Sequence, residues 1–156
     1  MVKARPVLRH PTPASIALLA KEKPIKKLVS FFWLWTPVVI WMAFIFLFSS
    51  IKSEDIPEFN VPNIDKLFHS MEYFILGALL FKALSNSIAN PNLIYILSAS
   101  ILIASLYGAT DEFHQRFISG RSCDFFDLLT DVIGSAIGAG LRLYRERSSR
   151  AVNKTF

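Results

Sequence analysis

Apolar residues fall into four long runs along the chain, and the first run carries no charge. Residues 31–50, FFWLWTPVVIWMAFIFLFSS, form this run. At about 1.5 Å per residue, a helix of that length covers the roughly 30 Å of a bilayer's hydrocarbon core. A secretory signal would have a shorter apolar region and a small-residue cleavage site, and neither is evident. The run therefore predicts a membrane-spanning helix.

Three further runs are long enough to span a membrane but differ in their polar content. Residues 67–84 have the apolar centre YFILGALLF, residues 92–110 are uncharged, and residues 125–144 contain Asp127 and Asp131. Acids inside a span are unfavourable unless they face the interior of a bundle or the membrane boundary. We therefore predict an all-α fold. It is an integral membrane bundle of four transmembrane helices, with spans at about 31–50, 67–84, 92–110 and 125–144, and an outward-facing polar loop between helices 3 and 4.

Basic residues are distributed unevenly among the segments that these spans connect. The chain has 17 Lys and Arg against 12 Asp and Glu. Most of the basic residues precede the first span, close the second or follow the fourth, which four spans place on one side. The positive-inside rule makes that side cytoplasmic, so both termini are predicted to be cytoplasmic. The basic excess is then a topology signal and an attraction to anionic lipids, and we predict no nucleic-acid partner.

The same pattern predicts the domain organisation. Residues 1–27 contain four Pro and alternate basic with small residues, which is typical of a disordered tail, here cytoplasmic. Residues 28–144 form the transmembrane domain, and residues 145–156 form a second basic cytoplasmic tail. The lone Cys123 has no intrachain partner and cannot form an internal disulfide.

A polar stripe opens the second predicted span. At 100° per residue, Asp65, His69, Glu72 and Tyr73 share an arc of about 100° on one helix face. The Asp65 carboxylate is four residues before His69, so we expect it to hydrogen-bond the imidazole. The alternative is a polar helix start at the membrane surface, with Tyr73 as an interfacial anchor.

A second polar stripe runs along the fourth predicted span. Its outer end carries Asp124, Asp127 and Asp131. We expect the basic residues of the preceding loop, Arg116 and Arg121, to pair with Asp127 and Asp131. The same face continues as Gly134 and Gly138, a GxxxG step that permits close approach of another helix. That helix could belong to the same chain or to a second copy in an oligomer.

The segment between the third and fourth spans, residues 111–121, is predicted to form a short re-entrant or interfacial loop because Ser119-Gly120 is a turn signal. Four spans place this loop beside the start of the second helix. We therefore expect two histidines and four acids to share one outward-facing pocket: His69, His114, Asp65, Glu72, Asp111 and Glu112.

Three ordered motifs resemble the VanZ-like membrane protein family. They are Asp65-Lys66-x-x-His69-x-x-x-Tyr73-x-x-Leu76-Gly77, then Asp111-Glu112-x-His114-Gln115-x-Phe117-x-x-Gly120-Arg121, then Asp127 and Gly134. The resemblance covers roughly residues 34–143. Two positions depart from the family's pattern: Ser119 stands where the family often has Pro, and Asp131 stands where it often has Asn. The second departure adds a buried charge.

The resemblance implies a multi-pass protein of the bacterial inner (plasma) membrane. The founding member of the family is associated with resistance to the glycopeptide teicoplanin, and the family as a whole has no settled biochemical activity. Membership therefore implies a role in the cell envelope, with antibiotic resistance as one option.

The leading functional hypothesis is a non-enzymatic envelope protein. Its outer polar site would bind or shield the head group of a lipid or of a lipid-linked cell-wall precursor, with no cofactor and no metal. Guanidinium groups suit phosphate or carboxylate, and the acids would orient them. The predicted binding residues are Asp65, Lys66, His69, Tyr73, Asp111, Glu112, His114, Gln115, Arg116, Arg121, Asp127 and Asp131.

Two other hypotheses stay open. The first is a small membrane-embedded enzyme at the outer leaflet, either an acid/base catalyst or a metal-dependent one, with His114, Glu112, His69 and Asp65 as its catalytic candidates. Neither a HExxH motif nor a nucleophile supports it in the sequence. The second is an ion or proton pathway through Asp127 and Asp131, for which four spans are few and no inverted repeat is visible.

Overall fold

The computed structural model of the chain is all-α. It describes residues 13–52, 54 and 64–153, with side chains from residue 28 onward. Within these residues four helices follow one another: α1 (Pro13–Ser49), α2 (Ile64–Ser87), α3 (Leu93–Gln115) and α4 (Phe125–Val152). The prediction of an all-α fold with four helices is confirmed.

The chain divides into two compact units, Met1–Trp33 and Leu34–Phe156. The first unit contains the N-terminal part of α1, which is helical from Pro13. Residues 1–12 lie outside the described part of the chain, so the disordered tail predicted for residues 1–27 stays a prediction there. The contacts that follow all lie within the second unit.

Three helical segments are long and apolar enough to cross a membrane: Leu28–Ser49, Ile64–Ser87 and Leu93–Gln115. They contain most of the first three predicted spans, so the chain has the helices of a multi-pass membrane protein. The third segment is longer than the sequence predicts. Asp111, Glu112 and His114 therefore lie in the last turns of α3, and only the residues after Gln115 form the connection to α4.

Helix α4 has 28 residues and is long enough to span, but its apolar part is interrupted by charge. Asp127, Asp131 and Arg142 all lie within it. The fourth transmembrane span therefore stays a prediction. The helix continues to Val152, through most of the segment that the sequence predicts as a basic tail.

Helices α2 and α4 approach so closely that backbone meets backbone. A Cβ atom added at Gly134 would overlap the carbonyl oxygen of Ser70, and one at Gly138 would overlap that of Phe74. A Cβ at Gly77 would overlap the backbone of α4 in the same way. The close approach expected from the GxxxG step occurs within the chain, so an oligomer through the Gly134/Gly138 face would have to displace α2.

Large side chains fill the space between α1 and the other helices. The indole Nε1–H of Trp41 donates to the carbonyl oxygen of Glu72 at 2.9 Å, and the Tyr107 hydroxyl donates to that of Met42 at 2.6 Å. These bonds satisfy polar atoms that would otherwise be unfavourable in an apolar core. The buried residues of this core are Val38, Ile45, Tyr73, Leu76, Leu80, Ala83 and Ala104.

Replacing Gly138 by Ala should destabilise the protein because the added methyl group would push α2 away from α4. Overpacking of this kind costs about 1–3 kcal/mol. Gly140→Ala is the matched control, because no atom lies within 4 Å of a Cβ at that position, and Ala is the better helix former. Thermal unfolding of the detergent-purified protein, followed by circular dichroism, measures both variants. Equal melting temperatures for the two would contradict the backbone contact.

Candidate functional site

The ammonium of Lys66 joins the start of α2 to the start of α4. Its Nζ donates to Asp127 Oδ1 at 2.7 Å and to Asp124 Oδ2 at 3.0 Å. Asp65 Oδ2 lies farther away, at 3.7 Å. The Lys66 side chain is 25% exposed, so this cation is partly accessible at the protein surface and partly enclosed by the helix bundle.

Asp124 also begins α4. It is the N-cap residue, and its Oδ1 accepts the backbone N–H of Phe126 at 2.8 Å. This hydrogen bond and the one from Lys66 hold the pKa of the Asp124 carboxyl below its ordinary value. The Asp124 carboxyl is therefore ionised near neutral pH. Its negative charge interacts favourably with the positive, N-terminal end of the α4 dipole.

One turn deeper, His69 of α2 pairs with Asp131 of α4. The distance between His69 Nδ1 and Asp131 Oδ1 is 3.1 Å, and both side chains are buried. An ionised carboxylate only accepts hydrogen bonds, so opposite such a partner the proton lies on Nδ1. Asp131, rather than Asp65, is thus the partner of His69.

Glu112 reaches this pair from α3. Its Oε2 accepts the backbone N–H of Asp124 at 2.9 Å, which ties the end of α3 to the cap of α4. Its Oε1 has no hydrogen-bond partner among the described residues and lies 3.9 Å from His69 Nδ1. One oxygen of Glu112 thus has a structural role, and the other is directed toward the imidazole.

Three more buried polar atoms lie close by without hydrogen-bond partners in the described chain: the Tyr73 hydroxyl, Asp111 Oδ1 and Asp131 Oδ2. The other oxygen of Asp111 accepts from Gln115 Nε2 at 3.1 Å. A Cβ at Gly108 would lie 2.8 Å from Asp131 Oδ2 and 3.3 Å from the Tyr73 ring. Gly108 therefore makes room where these two side chains meet.

We call the resulting group the charged cluster. Three helices contribute to it, and most of its members are buried. They are Lys66, His69 and Tyr73 from α2, Asp111, Glu112 and Gln115 from α3, and Asp127 and Asp131 from α4, with Asp124 at its edge.

His114 lies elsewhere, against α1. Its Nε2 is 3.0 Å from the Ser50 hydroxyl, and its ring stacks on Phe46 with 4.5 Å between centroids. The structure therefore contradicts the prediction that His69 and His114 share one pocket. The two histidines contact different helices because His114 follows Glu112 by two residues, about 200° around α3.

The arginines of the connecting segment do not pair with the acids of α4 in the described residues, contrary to the sequence-based expectation. Arg121 Nε donates to the carbonyl oxygen of Ile51 at 3.3 Å, and Arg116 is exposed. The partners of Asp127 and Asp131 are Lys66 and His69 instead. Asp65 is also outside the cluster's interior, since its side chain is 58% exposed.

A metal-ligand geometry is present within the charged cluster. His69, Glu112 and Asp127 each offer one ligand atom, and these three atoms lie within 4.8 Å of one another. One imidazole nitrogen with two carboxylate oxygens is a common set for divalent metals. Each ligand comes from a different helix, so no short sequence motif could have revealed the set.

A comparison with known families covers the part of the chain that contains this site. A family model described as VanZ/LLP1 matches residues 31–145. The chain belongs to the VanZ/LLP1 family. The matched range includes the whole charged cluster and confirms the resemblance drawn from the sequence. Searches of curated proteins and of solved structures gave no match.

In this VanZ-like chain, His69→Ala should be strongly destabilising because it leaves the fully buried Asp131 carboxylate without its partner. Breaking a buried charge pair from one side costs about 3–5 kcal/mol. The double variant His69→Ala/Asp131→Ala should cost less than the sum of the two single variants. The free energy of unfolding in mixed micelles measures all three.

The matched control is Asp65→Ala, at the exposed acid one turn before His69. It should change the free energy of unfolding by no more than about 0.5 kcal/mol. If the double variant cost as much as the two single variants together, His69 and Asp131 would not interact.

Proposed function

We propose that this VanZ-like chain is a four-span protein of the bacterial inner membrane. Helix α4 would be the fourth span, residues 116–124 would face outward, and both termini would be cytoplasmic. The pairing of Asp127 with Lys66 and of Asp131 with His69 supports α4 as a span, and the distribution of basic residues supports the orientation. Paired acids that face the bundle interior are tolerated in a span, whereas unpaired ones are not.

The charged cluster would then lie near the outer membrane boundary, and we propose that it binds the polar head group of an envelope lipid or of a lipid-linked cell-wall precursor. The observation that carries this proposal is Lys66. It is bonded to the carboxylates of Asp124 and Asp127, yet it remains partly exposed at the edge of a buried polar site. A partly desolvated ammonium suits a phosphate or carboxylate of a head group.

Residues of the connecting segment would complete the outer side of this site. Arg116 is exposed, and Arg121 is half-buried with its Nε fixed on the Ile51 carbonyl oxygen. The remaining guanidinium N–H groups of Arg121 are donors that match phosphate oxygens. If the ligand is a cell-wall precursor, altered glycopeptide susceptibility is an expected consequence.

A second candidate function is a membrane-embedded enzyme that acts on the same class of envelope lipid. The His69–Asp131 pair favours it, because a carboxylate that holds Nδ1–H leaves Nε2 able to accept a proton. Asp131 here takes the orienting role that the sequence-based hypothesis gave to Asp65. Glu112, with one free oxygen beside the ring, would be a second acid/base group.

The topology can be tested through Cys123, the single cysteine, which is exposed in the connection between α3 and α4. A membrane-impermeant maleimide should label it in intact spheroplasts, because the proposed topology places it outside. In the control variant C123S/S148C, the thiol near the C-terminus should react only after permeabilisation. Labelling in the reverse order would refute the proposed orientation.

Head-group binding can be tested at Lys66. Lys66→Ala removes a charge-assisted hydrogen bond worth about 1.5–3 kcal/mol, so retention of the bound lipid should fall roughly 10- to 100-fold. Lys66→Arg should retain most of the binding because it keeps the charge. The readout is mass spectrometry of the lipids that remain with the purified protein in nanodiscs.

Lys52→Ala is the matched control for this test, because Lys52 is 56% exposed and pairs only with its neighbour Glu54 among the described residues. Arg121→Gln tests the same site without breaking a buried ion pair, in case Lys66→Ala fails to fold. Unchanged lipid retention in both Lys66→Ala and Arg121→Gln would rule out a head-group site here.

A further inference from the structure

The charged cluster contains more carboxylates than cations. Four of its acids are buried, and Asp124 lies at its edge. Two basic side chains of the described residues lie within hydrogen-bond distance of these acids: Lys66, bonded to Asp124 and Asp127, and His69, bonded to Asp131. The four buried acids are Asp111, Glu112, Asp127 and Asp131.

This excess of negative charge requires compensation. A buried ionised carboxylate without a partner is unfavourable by several kcal/mol, so it either takes up a proton or binds another cation. Protonation would supply a hydrogen-bond donor, but it would not explain why ligand atoms from three helices converge. A bound cation would compensate the charge and would use the ligand atoms that three helices bring together.

Glu112 gives the independent indication of a ligand. Its side chain is 3% exposed, and Oε2 is fixed by the backbone N–H of Asp124. The orientation of the carboxylate is therefore set, and it leaves Oε1 buried without a hydrogen-bond partner, 3.9 Å from His69 Nδ1. A buried acceptor held in this way is expected to have a donor or a cation opposite it.

Asp131 fixes the imidazole ring of His69. The distance between His69 Nδ1 and Asp131 Oδ1 is 3.1 Å, and a carboxylate bonded to a ring nitrogen holds the ring in one orientation. His69 therefore presents a fixed ring to Glu112 and Asp127.

We propose that His69, Glu112 and Asp127 form a binding site for a divalent transition-metal ion such as Mn²⁺ or Zn²⁺. The three ligand atoms lie within 4.8 Å of one another. An imidazole nitrogen favours these ions over Ca²⁺ and Mg²⁺, which prefer oxygen ligands only. Lys66 and the ion would share the Asp127 carboxylate, which has two oxygens. The proposed metal site departs from the sequence-based prediction of a site without a metal.

A metal ion at this position would also explain how an acid-rich cluster receives an anionic head group, since the ion would attract the phosphate that the carboxylates repel. In this respect the inference rests on the proposed function. The binding of the metal alone does not, so the two can fail separately.

The test measures metal binding to the full-length protein in detergent after removal of bound ions with a chelator. Equilibrium dialysis against Mn²⁺ or Zn²⁺, with elemental analysis of the protein, should give one ion per chain. Glu112→Gln should weaken binding by at least about 10-fold. This variant keeps an oxygen that can accept the Asp124 N–H, so the fold has no reason to change. His69→Gln should have the same effect.

Asp65→Asn is the matched control, because this acid lies on the same helix end but is exposed, and it should bind the metal as the unmodified protein does. Circular dichroism verifies that each variant is helical. Absence of stoichiometric binding, or binding that survives both Glu112→Gln and His69→Gln, would overturn the proposal. Metal binding without lipid retention would overturn only the proposed function, and lipid retention without metal only this inference.

Discussion

The backbone contact between α2 and α4 is the constraint on which the charged cluster depends. Because Gly134 and Gly138 lie directly against carbonyl groups of α2, the two helices are held at a fixed distance and in a fixed register. Lys66 pairs with Asp127, 61 residues later, and His69 pairs with Asp131, 62 residues later. Near-constant separations of this kind occur when two helices run parallel in one register. A wider spacing would leave the acids of α4 inside an apolar bundle without their cations.

The cluster is graded from an exposed edge to a buried centre. Asp65 and Asp124 are exposed by 58% and 36%, whereas Asp127 is exposed by 11% and Asp131 by 0%. Electrostatic interactions strengthen in this direction because the effective dielectric constant falls with burial. A ligand that approaches along the helix axis would therefore meet the screened charges first and the strongly interacting ones last. The exposed edge lies at the end where α4 begins, which is also where the connecting segment lies.

Sequence periodicity predicted the helices and the two polar stripes because both depend on local spacing. The stripe of Asp127, Asp131, Gly134 and Gly138 is one face of a helix, and the structure buries that face. The basic partners of the acids in α4 were less predictable. Arg116 and Arg121 are near α4 in sequence, but Lys66 is the residue that the register of α2 brings to Asp127. Such a pairing depends on the packing of distant segments, which a single sequence does not encode in its spacing.

The end of α3 was also only partly predictable from the sequence. Ser119-Gly120 correctly indicated a turn, and Gly120 has a positive φ of 75°. The start of the connection was placed too early, because a cluster of polar residues resembles a loop even when it continues a helix. Asp111 and Glu112 stay helical since their side chains find buried partners in Gln115 and in the cap of α4. The contact of Glu112 joins α3 to the cap of α4, and only a contact of this kind, between two helices, distinguishes a polar helix end from an irregular segment.

The aspartate at position 131 has a chemical consequence for the imidazole beside it. The VanZ-like pattern often has Asn here, and an amide can present either its oxygen or its NH₂ group to a histidine, which permits both ring tautomers. An ionised carboxylate offers acceptors only, so Asp131 in its ionised form selects the tautomer with the proton on Nδ1. The same change adds a negative charge to a cluster that already has an excess of carboxylates. A cation, whether a ligand's amine or a metal ion, should therefore be held more strongly by this chain than by relatives with Asn at that position.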